Sequence, residues 1–99
     1  MKITEVWMRN ASEVEAVQIT EENLYLVAEW CGGRVLRIGG GHKFIRVGVV
    51  RDNEYREAKV RPGDWLVTIA DELWHFKDED FKADFIKKTE KSLDLGKDD

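Results

Sequence analysis

The chain has a single cysteine, Cys31, so no internal disulfide can staple it and the fold has to rest on burial of apolar surface. Apolar runs such as Gly48–Val50 and Trp65–Val67 fall far short of the roughly 20 residues that cross a bilayer, so no membrane partner is expected. Acidic Glu5 arrives before any apolar run develops, which argues against a secretory leader and makes a cytoplasmic setting the expectation. The two histidines, His42 and His75, lie far apart, and neither sits in the ligand spacing of a zinc or facial-triad site. Asp78 and Asp80 after His75 read as an acidic helix start, so no metal and no cofactor is expected.

What is present suits one small globular domain. Ninety-nine residues bury roughly 65% of the extended chain's surface on folding, enough for one core. Apolar residues make up 42% and charged residues 36%, with a net charge of −4. We expect residues 1–91 to form the domain and 92–99 a polar C-terminal tail. The charge is unevenly spread: residues 1–33 carry 2 basic and 6 acidic side chains, residues 34–61 carry 8 and 3, and residues 62–99 carry 6 and 11. Either the segments neutralise one another across the folded sheet, or the basic middle makes an anion-facing surface.

Along the chain, residues 3–8 and 13–19 alternate as an antiparallel pair turned by Asn10, Ala11 and Ser12. Thr20 can cap a helix over about 21–31, in which Leu24, Val27, Ala28 and Cys31 form an apolar stripe ended by Gly32 and Gly33. Arg34–Ile38, the Gly39–Gly41 tip and His42–Arg51 read as a hairpin. Leu36 and Ile38 share a face with Ile45, Val47 and Val49, and the other face holds Arg37, His42, Arg46 and, as an open choice, Arg34. Tyr55–Val60 follows, then Arg61-Pro62-Gly63-Asp64 has the composition of a type II turn. Trp65–Ile69 and Leu73–Lys77 alternate as strands, a helical turn near 78–83 carries Phe81, and Asp84–Thr89 reads as a last strand. The expected class is α+β: a small, strongly bent antiparallel sheet or partly open β-barrel of about 7–8 short strands with one main helix.

Four blocks occur in order: Val14–Thr20, Ala28–Gly33, Val60–Val67 and Asp80–Phe85. Together they resemble a family of small proteins encoded by bacteriophages and prophages, marked by a Pro-Gly-Asp-Trp turn leading into a strand, here Pro62 to Trp65. The likeness spans most of residues 13–89. It implies a phage origin and a setting in the host cytoplasm or the virion, and it assigns no biochemical activity. The chain departs from the family pattern at Ile69–Glu72, which lacks the usual glycine, and at Trp74–Lys77, where relatives often hold a tyrosine and a cysteine.

No catalytic set emerges. Cys31 lies on the buried side of its helix, where a thiol stays protonated. The Gly39–Gly41 run lacks the lysine, hydroxyl and following helix of a phosphate loop. Asp78, Glu79 and Asp80 are adjacent rather than set across a cleft. A non-enzymatic role is expected, by binding a host protein or a small anionic signalling ligand, with a virion structural or assembly role as the alternative and a homo-oligomer left open. Arg34, Arg37, Arg46, Trp74 and His75 are the candidate binding residues: arginines pair with anions, and an exposed ring stacks on a base or anchors a protein contact. Sequence-specific nucleic-acid binding is not expected of a chain with net negative charge and no recognition-helix pattern.

Overall fold

A computed structural model of the chain describes residues 3–88. Strand β1 (Glu5–Arg9) and β2 (Ser12–Gln18) form the expected opening pair, followed by helix α1 (Leu24–Cys31), β3 (Arg34–Arg37), β4 (Lys43–Arg51), β5 (Glu54–Val60), β6 (Trp65–Ile69), β7 (Glu72–Phe76), α2 (Asp78–Asp84) and β8 (Ile86–Lys87). The α+β class and the strand number expected from sequence are observed. The barrel is not: the strands make two antiparallel sheets, one ordered β7-β6-β2-β1-β8 and the other β3-β4-β5. The expected tail at 92–99, and Thr89 of the expected last strand, lie outside the described residues.

The reason for two sheets is local. After β5, Pro62 and Gly63 (φ 99°) reverse the chain, and Asp64 N–H donates to Arg61 O at 2.9 Å, closing the expected type II turn. The turn then bonds to the end of β2: Gly63 N–H to Ile19 O at 2.7 Å and Ile19 N–H to Asp64 O at 2.9 Å. Strand β6 is thereby delivered beside β2, with Glu15–Gln18 facing Thr68–Trp65, instead of beside β5.

Alternation gives the five-stranded sheet two working faces. Val17, Ile19 and Leu66 meet α1 through Leu24, Val27 and Ala28, and meet the second sheet through Ile45, Val47, Val49 and Val60. The other face carries Val14, Ala16, Trp65 and Val67 under Phe81 and Phe85 from α2 and its exit. Trp65 stacks on Phe81 at 3.9 Å between ring centroids, and Phe81 stacks on Phe85 at 4.6 Å. An aromatic richness that exceeds the needs of one core is absorbed by this second layer.

Two boundaries move. Helix α1 starts at Leu24 rather than 21 because Thr20 and Asn23 bond reciprocally: Thr20 Oγ1 accepts Asn23 N–H at 3.1 Å and Asn23 Oδ1 accepts Thr20 N–H at 2.8 Å. The threonine caps as expected, but it caps a turn ahead of the helix. In the β3–β4 hairpin, Val35 faces Ile45 and Leu36 faces Phe44, so Val35, not Leu36, joins the core. Gly33 allows this approach, since a Cβ there would sit 2.7 Å from Ile45 Cγ2.

Three two-residue hairpin turns put both central residues at positive φ, the type I′ arrangement: Asn10–Ala11, Asp52–Asn53 and Ala70–Asp71. Alanine tolerates that region poorly, which gives the missing glycine at Ile69–Glu72 a physical cost. Ala70→Gly is expected to raise unfolding stability by about 0.5–1 kcal/mol. Gly63→Val should lower it by about 2 kcal/mol, because a β-branched residue resists φ 99°. Urea unfolding of the two variants beside the parent checks both signs.

Candidate functional site

The turn that directs β6 also fixes the side chains around it. Asp64, only 6% exposed, is the one charged residue in the buried set. Its Oδ2 accepts Arg61 N–H at 3.1 Å and lies 2.9 Å from His75 Nε2 and 3.7 Å from Lys77 Nζ. A buried carboxylate so surrounded is stable because each contact replaces lost water. His75 is thus spoken for by Asp64. On the opposite face Asp78 Oδ1 accepts the Trp65 indole N–H at 2.8 Å and Gln18 Nε2–H at 3.2 Å, and Gln18 also donates to Gly63 O. This ties the start of α2 to the same turn.

The arginines are arranged differently. In the β3–β4 register Arg34 stands directly opposite Arg46, both exposed on the outer face of the three-stranded sheet. Like charges in that relation, with Cβ atoms about 5 Å apart, repel. Arg46 Nε–H donates to Glu57 Oε1 at 2.9 Å, whereas Arg34 makes no ion pair among the described residues. The pair borders a cleft of about 530 Å³ whose floor includes Gly32, Gly33 and Gly48. No heavy atom lies within 4 Å of where a Cβ of Gly48 would stand, so that part of the floor is open to a ligand.

The five candidate residues therefore do not converge. Arg34 and Arg46 share one cleft; Arg37, paired with Lys43, projects from the opposite face of the hairpin by the pleat of the strand. Trp74 and His75 lie on β7 in the other sheet, pointing to opposite faces. Trp74 packs partly buried against the aromatic layer, and its Nε1–H is buried without a partner among the described residues. Both border a separate cleft of about 630 Å³ between β7 and the β4–β5 hairpin, with Arg51, Arg56, Lys59 and Lys77 nearby instead of Arg37 or Arg46.

Cys31 packs half-buried against the core, its thiol pushed up in pKa by that burial. It borders a cleft with Trp30, Glu15 and Leu73 that includes neither histidine, so no thiolate–imidazole pair forms. Among the described residues no three His, Cys, Asp or Glu side chains gather as metal donors, and no helix is long and apolar enough to cross a membrane. Sequence reading missed Asp64 as the anchor of His75, although its place in the turn was visible. It also missed Tyr25 as an exposed residue, for which the signal was a helix more apolar than its buried stripe requires, and it placed on the core face Ile38, which is exposed past the end of β3. The chain matches no family model, no curated protein and no solved structure.

Asp78 gives a pH prediction. The Trp65 indole donor, helped by Lys82, holds its carboxyl below the ordinary value, against a smaller opposing effect of desolvation. A depressed folded pKa contributes stability that is complete above the unfolded value and lost as pH falls through the folded one. Replacing Asp78 by Asn should therefore lower Tm most at pH 7, and the deficit should narrow by about pH 3. Melting curves followed by circular dichroism at the two pH values check it; an equal deficit at both would assign the contribution to hydrogen bonding instead of charge.

Proposed function

We propose that this is a non-catalytic binding protein of phage or prophage origin that captures a small anionic ligand between Arg34 and Arg46. The observation that carries the reading is the in-register apposition of two exposed arginines over a glycine floor, with one glutamate to neutralise them. A sheet gains nothing by placing like charges opposite each other. A phosphate or carboxylate between the two guanidinium groups turns that repulsion into paired, charge-assisted hydrogen bonds. The phage setting is supported by the four sequence blocks around the Pro62–Trp65 turn.

The charged edge strand weighs against the alternative of virion assembly through strand addition. Strand β5 ends its sheet and carries Glu54, Arg56, Glu57 and Lys59, the kind of charge that blunts edge-to-edge pairing. The cleft suits a phosphate-bearing metabolite better than a polymer, because the net charge of −4 repels nucleic acid at longer range.

Calorimetry with AMP and inorganic pyrophosphate as probes at low salt tests the reading. Binding should weaken as salt rises and fall at least about tenfold in Arg34→Glu/Arg46→Glu, since each lost charged hydrogen bond contributes roughly 1.5–3 kcal/mol. Heat that is unchanged in the double variant, or absent from the parent for both probes, would remove this cleft as the ligand seat.

A further inference from the structure

Five large apolar side chains are exposed among the described residues, and two of them, Tyr25 and Ile38, each lie beside Lys43. Tyr25, 59% exposed, lies on α1; Ile38, 44% exposed, lies just past the end of β3. Lys43, the first residue of β4, links them: its Nζ sits 5.1 Å from the centroid of the Tyr25 ring, and it borders the same notch as Ile38. Leu26, 53% exposed, follows Tyr25 on the helix surface.

The notch holds about 320 Å³, at the small end of ligand pockets. Ile38, Phe44 and Pro62 supply its apolar wall, and Lys43 and Arg61 outnumber Glu21 around it. Arg37, opposite Lys43 in the register, adds a further cation on that side of the hairpin. Gly39 forms part of the rim, and a Cβ there would touch nothing within 4 Å, so the rim leaves the opening clear.

We propose that this notch docks a short acidic segment of a partner protein, which inserts one bulky apolar side chain beside Ile38 and Phe44 and sets its carboxylates against Lys43, Arg61 and Arg37. An apolar anchor inside a charged ring is the usual anatomy of an interface hot spot, and the excess of cations selects an acidic partner by complementarity. Lys43 at the notch is held over the face of the Tyr25 ring on α1. The surface is separate from the Arg34–Arg46 cleft and does not depend on it.

Fluorescence anisotropy with a fluorescein-labelled peptide, Asp-Glu-Asp-Trp-Leu-Asp-Glu-Asp, on the full chain tests the proposal. Saturable binding is expected, weakened at least tenfold in Ile38→Asp and in Lys43→Glu and unchanged in Arg34→Glu. The same peptide with Ser for Trp and Leu should also lose at least tenfold. Equal binding of that serine peptide would reduce the effect to charge alone and overturn the docking notch, as would no saturable binding or an unaffected Ile38→Asp variant of native circular dichroism. Sedimentation that finds a dimer in the parent and a monomer in Ile38→Asp would assign the surface to a second copy of the chain and overturn the acidic partner.

Discussion

The carboxylate of Asp64 is the constraint on which the rest of this molecule depends. It is buried, so it persists as part of a stable fold only while its lone pairs are occupied. Arg61 N–H and His75 occupy it, one from the start of its own turn and one from the outer strand of the sheet. The backbone of the same turn bonds Ile19, and the next residue, Trp65, bonds Asp78. Five consecutive residues thus set the partner of β6, the position of β7 and the start of α2. Because these contacts share atoms, loss of one strands the others, and their contributions cannot be added as independent pairs.

Once the turn has committed β6 to β2, β5 has no neighbour on its outer side and the second sheet stays three strands wide. That has a surface consequence. A closed barrel would have used the outer face of β3, β4 and β5 only as a solvated wall, whereas a short separate sheet leaves one edge at β3, a glycine-rich junction to α1 and a free hairpin tip. The clefts beside Arg34 and Arg46 and beside Ile38 both lie along these features. The surface is varied because the fold stops pairing strands early.

Much of this was legible in the sequence, and the limits have physical causes. Period-two alternation located the strands, the Leu24–Cys31 stripe located the helix, and proline followed by glycine identified the type II turn. Sheet partnership was not legible, because it depends on two backbone bonds to Ile19 that carry no side-chain signature. The register of β3 was ambiguous for another reason. Val35 and Leu36 are adjacent and both apolar, so a four-residue strand offers two phases and the length of the Gly39–Gly41 tip selects between them. That one-residue choice carried Arg34 to the face of Arg46 and Arg37 away from it, so Arg37 and Arg46, expected on one face, lie on opposite faces of the hairpin.

Several features that reading for stability does not explain lie between Tyr25 and Arg46. Local preference and hydrophobic pattern agree through β1, β2, β6 and α2, with the positive-φ turns at Ala11 and Ala70 as exceptions. In the segment from Tyr25 to Arg46 they disagree: a tyrosine, a leucine and an isoleucine face water, and two arginines face each other across a ladder. Each is a small cost, of the order of 1 kcal/mol or less, that a neutral polar residue would avoid. Costs of that kind are not confined to this segment, since Tyr55 and Ile86 are also exposed, but here they coincide with the two surfaces for which a ligand and a partner are proposed.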